Sequence, residues 1–183
     1  MALEVVAGFV PGGNTVDNTN FVTRLFDVTE IHTAQQFDIG TCVECRDTTV
    51  GSRAIFAYHR GVAAVTVGDA VILKHTDDAA ILLDDGVAGA EIGGLVGFAM
   101  AAVVAANYGW FQVYGRATAN VASGFAADGL IYATTTAGTV DDAAGGGQVL
   151  NARSESAIDT PSTGKAYIDI WWPSIAGTAA GLA

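Results

Sequence analysis

The stretch GLVGFAMAAVVAANYGWFQVYG, Gly94 to Gly115, decides the fold class. It belongs to an uncharged apolar run, Ile92 to Ala106, that reads in outline as a membrane helix, a soluble helix or a strand. A bilayer span needs about 18 to 20 apolar residues, and this run is shorter and is interrupted by Gly93, Gly94 and Gly97. An Ala-rich helix over Ala99 to Ala106 competes, because alanine is the best helix former. The β-branched pair Val103-Val104 and the flanking glycines favour a different pattern. They predict a strand through Leu95 to Met100, a passage over Ala101 to Tyr108, and a strand over Trp110 to Tyr114. In the second strand Phe111 and Val113 share one face, and Trp110, Gln112 and Tyr114 the other.

Outward from this stretch, the pattern returns. GQVLNARSESAIDTPSTGKAYIDIWW, Gly147 to Trp172, again places a Gly-led apolar run before a second glycine and an alternating strand, Gly164 here matching Gly109 there. The preceding segments also align: TVGDAVILKHTDDAAILLDD (Thr66 to Asp85) with FAADGLIYATTTAGTVDD (Phe125 to Asp142). Asp69 falls against Asp128, and Asp84-Asp85 against Asp141-Asp142, with a two-residue gap. An internal duplication of β units, about 64–115 and 121–172, is the expectation. The fold class expected is all-β, short antiparallel strands in a compact barrel or sandwich of two related units, with an extended N-terminal arm.

Composition agrees. The 183-residue chain carries 23 glycines and only 8 Lys+Arg, and much of its 51% hydrophobic content is alanine, so helix-favouring Lys, Glu, Gln and Leu are sparse. A formal net charge of −11 argues against a nucleic-acid partner, which needs a basic face for phosphate. MALEVVAGFVPGG has no basic n-region and carries Glu4 within its apolar run, so a secretory signal and a membrane partner are not expected.

Residues 1–36 read as the arm. VPGGNTVDNTN is dense in turn formers, and the apolar residues around it follow no helical or strand period. A short helix between Thr29 and Gln36 is one option. From Phe37 to Pro173 the pattern is regular and forms the body. FDIGTCVECRD and GSRAIFAYHRG flank a turn at Thr48 to Gly51 and read as a hairpin; AVILKH and AAILL read as another, joined by Thr76-Asp77-Asp78. A final hairpin joins QVLNARSESAI to KAYIDIWWP, with Ala166, Ile168, Ile170 and Trp172 on one face and Tyr167, Asp169 and Trp171 on the other. Residues 174–183 form a tail.

No residue cluster announces a reaction. Cys42 and Cys45 are three apart in a strand, where side chains point to opposite faces, so they diverge instead of closing on a metal or on each other. His32, His59 and His75 lack ligand spacing. The turn at Asp77-Asp78 beside His75 offers two carboxylates, short of the six to eight oxygens Ca²⁺ takes. Gly145-Gly146-Gly147 lacks the Lys-Ser/Thr of a phosphate loop and follows Asp141-Asp142, which repel phosphate. There is no G-x-S-x-G and no H-E-x-x-H. The chain is therefore expected to be no enzyme, with no cofactor and no metal.

FDIGT, AIFAYHRGVAAVTVGDAV, VGFAMAAV with YGWFQVYG, DGLIYATTTAGTVDDA and the closing WWP together resemble the small Gly/Ala-rich β proteins of tailed bacteriophages, the head decoration or cement type. The likeness covers Phe37 to Pro173. It implies a virion structural role on the outer capsid surface after assembly in the host cytoplasm, with the major capsid protein and further copies of the chain, as in a trimer, as partners. The family offers no active-site residues to transfer. Candidate interface anchors are Phe9, Phe21 and Phe26 in the arm and Trp110, Tyr114, Trp171 and Trp172 in the strands. The rival expectation is a tail or fibre component that stacks a host glycan on Trp110 and Tyr114.

Overall fold

The computed structural model describes residues 3–7, 27–47, 52–62, 64–76 and 79–176. They form β1 (Leu3–Ala7), β2 (Cys42–Asp47), β3 (Arg53–Gly61), β4 (Ala70–Lys74), β5 (Ala79–Leu82), α1 (Asp85–Ala90), β6 (Leu95–Ala99), β7 (Tyr108–Asn120), β8 (Leu130–Ala133), β9 (Val140–Asp141), β10 (Gln148–Ser154) and β11 (Lys165–Ile175). The fold is all-β, and its sheet partly closes into a ring.

Strand order within the sheet is β1-β2-β3-β5-β4-β6-β7-β11-β10-β8-β9, with β3 also paired to β7 and β6 to β11. The β3–β7 pairing closes a five-stranded ring, β3-β5-β4-β6-β7. One of its contacts is parallel, Arg60 and Gly61 of β3 against Ala79 and Ala80 of β5. Ile55, Ala57, Val71, Leu73, Ala80, Phe111 and Val113 fill the interior, with Val65 and Val103 from connecting segments. The opposite faces of the same strands are also buried. Ala70, Ile72, Val96 and Phe98 point out of the ring into the largest core, which they share with Ile131, Val149, Ile168, Ile170 and Ile175. Burial on both faces explains why AVIL of β4 is continuously apolar instead of alternating.

The strand orders β5-β4-β6-β7 and β9-β8-β10-β11 repeat one pattern and meet at the β7–β11 pairing. Their backbone hydrogen bonds correspond. Gly68 N donates to Ala99 O and Ala99 N to Asp69 O; in the other half Asp128 N donates to Ser154 O and Ser154 N to Gly129 O. This sets Gly68 against Asp128, one position from the match read in the sequence. Residues 100–107 and 155–164, between the last two strands of each half, are irregular, so the alanine-rich stretch is strand, loop, strand as its valines and glycines predict.

β7 is the long strand that belongs to both halves. Tyr108 to Tyr114 pair with β3, and Tyr114 to Asn120 pair with β11. The change of partner occurs at Gly115, whose φ of +94° and close approach to the Arg53 carbonyl exclude a side chain. Buried Gln112 supports the bend by donating both amide hydrogens, to the carbonyls of Tyr114 and Arg116 at 3.0 Å each.

Leu3–Ala7 pairs with β2, and residues 27–41 cover the outer face of β2, β3 and β7. Val28 is buried there, His32 exchanges backbone hydrogen bonds with Tyr108, and the His32 ring meets the Tyr58 hydroxyl at 3.0 Å. The described parts of the arm thus lie on the chain's own body. Thr29 to Gln36 holds turns and one bridge instead of a helix. The sequence also missed α1. Asp84 accepts a hydrogen bond from Val87 N as its N-cap, so this acidic pair starts a helix.

Candidate interaction surface

The seven candidate anchors separate. Phe9, Phe21 and Phe26 lie outside the described residues. Trp110 is no surface residue: it is 1% exposed, with Tyr58 at 5.0 Å and Phe37 at 5.3 Å between ring centroids. It does point away from the ring, as alternation requires, but residues 27–41 cover that side. Its indole has no surface to offer a partner or a glycan, which corrects its assignment as an anchor.

Trp171 and Trp172 are 47% and 43% exposed. Trp171 lies on the face opposite buried Ile168 and Ile170. Trp172 departs from the alternation, which places it inward with Ala166, Ile168 and Ile170. The register of β10 against β11 explains the difference. Ala152 opposes Ile170 and Leu150 opposes Ser174, so the single residue Asn151 faces three, Trp171 to Pro173. At this bulge Asn151 and Trp172 adopt φ of 55° and 52°, and buried Pro173 takes the inward place. Left-handed backbone at a bulky residue costs about 1 to 3 kcal/mol, and here it leaves a second large indole exposed.

Tyr114 is half-buried and directly opposes Trp171 across the β7–β11 pairing. The bend at Gly115 opens a groove of about 490 Å³ at this point, lined by Arg53, Tyr114, Arg116, Glu155, Asp169 and Trp171 among others. Arg53 lies 5.5 Å over the Tyr114 ring and pairs with Glu44 at 2.7 Å. Arg116 lies 3.7 Å over the Tyr167 ring and pairs with Glu155 at 2.6 Å. Burial, and then the charge of Glu155, raise the Asp169 carboxyl above its ordinary value, against the pull of Arg116 and Arg153. The groove thus brings Tyr114 and Trp171 together with two arginines already held in ion pairs, Arg53 with Glu44 and Arg116 with Glu155.

The sequence did not single out Arg53, Arg116, Glu155 or Asp169. Asp169 and Trp171 share a face by alternation, which was a usable signal. Arg53 and Glu155 come from distant segments, and no spacing links them. Cys42 and Cys45 diverge as the strand period predicts, Cys42 exposed and Cys45 buried. Asp77 and Asp78 lie outside the described residues, and among the described residues no three His, Cys, Asp or Glu side chains gather as a metal site. No family model, no curated protein and no solved structure matches the chain.

Proposed function

We propose that this chain is a structural protein of a bacteriophage head, a decoration or cement subunit that binds the major capsid lattice as an oligomer. The observation that carries this reading is the exposure of both Trp171 and Trp172 at the bulge in β11, with Tyr114 opposite Trp171 across the β7–β11 pairing. Large aromatic side chains dominate interfaces because each buries about 150 to 250 Å² on contact. A stable interface covers about 1,200 to 2,000 Å² in total, so two indoles and a phenol form the centre of a docking patch rather than its whole. The resemblance of Phe37 to Pro173 to phage head proteins supplies the identity of the lattice.

The test is re-binding of the purified chain to phage heads that lack it. Trp171→Ala and Trp172→Ala are each expected to weaken binding at least about tenfold while leaving the fold intact. Unchanged binding by the double variant, or purified virions without the chain, overturns the reading. The groove beneath Trp171 favours a second reading, a tail or fibre component that holds a host glycan on Tyr114 and Trp171 in place of the buried Trp110. Glycan binding lost in Trp171→Ala, with no affinity for heads, selects it.

A further inference from the structure

Away from the tryptophans, three polar side chains from three segments converge at the far end of the β7–β11 pairing. Lys165 of β11 directly opposes Asn120 of β7. Its Nζ donates to Asn120 Oδ1 at 2.5 Å and to the Val67 carbonyl at 2.5 Å. The Asn120 Nδ2 donates to Oδ1 of Asp69 at 2.7 Å. Asp69 is 7% exposed, and its other oxygen accepts from Thr66 N at 2.7 Å. An ammonium that must donate and a carboxylate that must accept leave one orientation for the amide, oxygen towards Lys165 and nitrogen towards Asp69.

The surroundings are built closely around these groups. Gly68, at φ +90°, passes so near that a Cβ there would lie 2.9 Å from Lys165 Nζ and 3.1 Å from Asn120 Oδ1. Gly138, at φ +80°, covers Asp69 from the other side, where a Cβ would lie 2.7 Å from its carboxyl carbon. Backbone hydrogen bonds from Asn120 N to Gly68 O and from Ala70 N to Gly138 O fix both covers. The amine is thus hydrogen-bonded to the oxygen of the amide whose carbon is the electrophile. A carboxylate touches the nitrogen that must leave, and positioning of this kind replaces most of the entropy of a bimolecular encounter.

We infer that Lys165 and Asn120 join in an intramolecular isopeptide bond, with Asp69 carrying the proton between them. The Lys165 ammonium first gives up one proton to water, and the freed Nζ lone pair attacks Cγ of Asn120. The C–N bond forms as the carbonyl pair moves onto Oδ1. With both nitrogens now bonded to the tetrahedral Cγ, Asp69, in contact with Nδ2, takes the second Nζ proton and passes it to Nδ2; the carbonyl re-forms, the Cγ–Nδ2 bond breaks, and ammonia departs and takes up the proton first released to water. One alkylammonium and one primary amide give one secondary amide and one ammonium ion; nothing is oxidised or reduced and no co-reactant is needed. Burial favours the neutral amine and lowers the Lys165 pKa, opposed by the charge of Asp69, which is consistent with a nucleophilic role.

Intact-mass measurement of the folded, purified chain tests the inference. The expected mass is about 17 Da below that of the sequence, one ammonia lost. Trypsin is then expected to leave Lys165 uncleaved and to release residues 117–153 joined to 154–183. Lys165→Arg and Asn120→Ala are expected to restore the full sequence mass. Asp69→Asn is expected to leave the chain folded and unlinked. Full sequence mass in the wild type after prolonged incubation, with cleavage after Lys165, overturns the bond, as does a gain of about 1 Da at Asn120, which signals attack by water instead. Cross-linking of Asp69→Asn at the wild-type rate overturns the role of Asp69. If a variant does not fold, the wild-type mass decides the bond by itself.

Discussion

His59 makes the stability of the ring depend on pH in a calculable way. It sits on the inner face of β3 at 0% exposure, and neither ring nitrogen has a hydrogen-bond partner. The His75 ring lies 5.2 Å away between centroids and is set edge-on. Burial, reinforced by the charge on His75, lowers the His59 pKa from the ordinary 6.5 to about 4. Between those values the unfolded chain binds a proton that the folded chain refuses, so stability rises with pH across the window. The contribution is fully present above about pH 6.5, is lost progressively as pH falls towards about 4, and is constant below both values. At about 1.4 kcal/mol per pH unit, the window corresponds to about 3 kcal/mol. Urea unfolding of the wild type and of His59→Leu, from about pH 7.5 to about pH 4, isolates this term from the carboxylates common to both. The variant is expected to lose about 3 kcal/mol less over the window. At neutral pH it is expected to be at least as stable as the wild type, since two buried unpaired nitrogens, each costing about 1 to 3 kcal/mol, are removed. Parallel pH profiles for the two proteins refute the reasoning.

Three further outcomes follow from the packing. Trp110→Ala should cost about 3 to 5 kcal/mol in denaturant unfolding, against about 0.5 kcal/mol for Trp172→Ala, because only the first opens a cavity. Gln112→Leu should cost about 1 to 3 kcal/mol by stranding the carbonyls of Tyr114 and Arg116 at the bend, and a change below about 0.5 kcal/mol shows that water replaces the amide. Burial, then the charge of Glu44, push the Cys45 thiol up to about 11, while Cys42 is exposed. Timed alkylation of the native protein should therefore modify Cys42 first and Cys45 only on unfolding; equal rates contradict the strand placement of both.

Much of the local structure was legible in the sequence because side-chain direction in a strand depends on the backbone alone. The period of two separated Cys42 from Cys45, put Phe111 and Val113 together, and put Ala166, Ile168 and Ile170 on one face of β11, the face that is buried. Valines and glycines against an alanine run correctly opposed a helix. The short helix α1 was missed because Gly86 and Gly89 give it poor intrinsic propensity, leaving the Asp84 cap as its main signal.

What only the tertiary structure decided is which faces have a neighbour. Trp110 and Trp172 were read alike from alternation and spacing, as aromatic residues in strands. Trp110 is buried because residues 27–41, far away in the chain, fold over it. Trp172 is exposed because Asn151 across the β10–β11 pairing is one residue facing three, and the bulge turns the indole outward. Closure of the ring through the β3–β7 pairing, and the meeting of Asp69, Asn120 and Lys165, likewise join positions far apart in sequence. Alternation is written residue by residue into the chain; burial and chemical proximity depend on strand register and on the second layer, which arise only when distant segments pair.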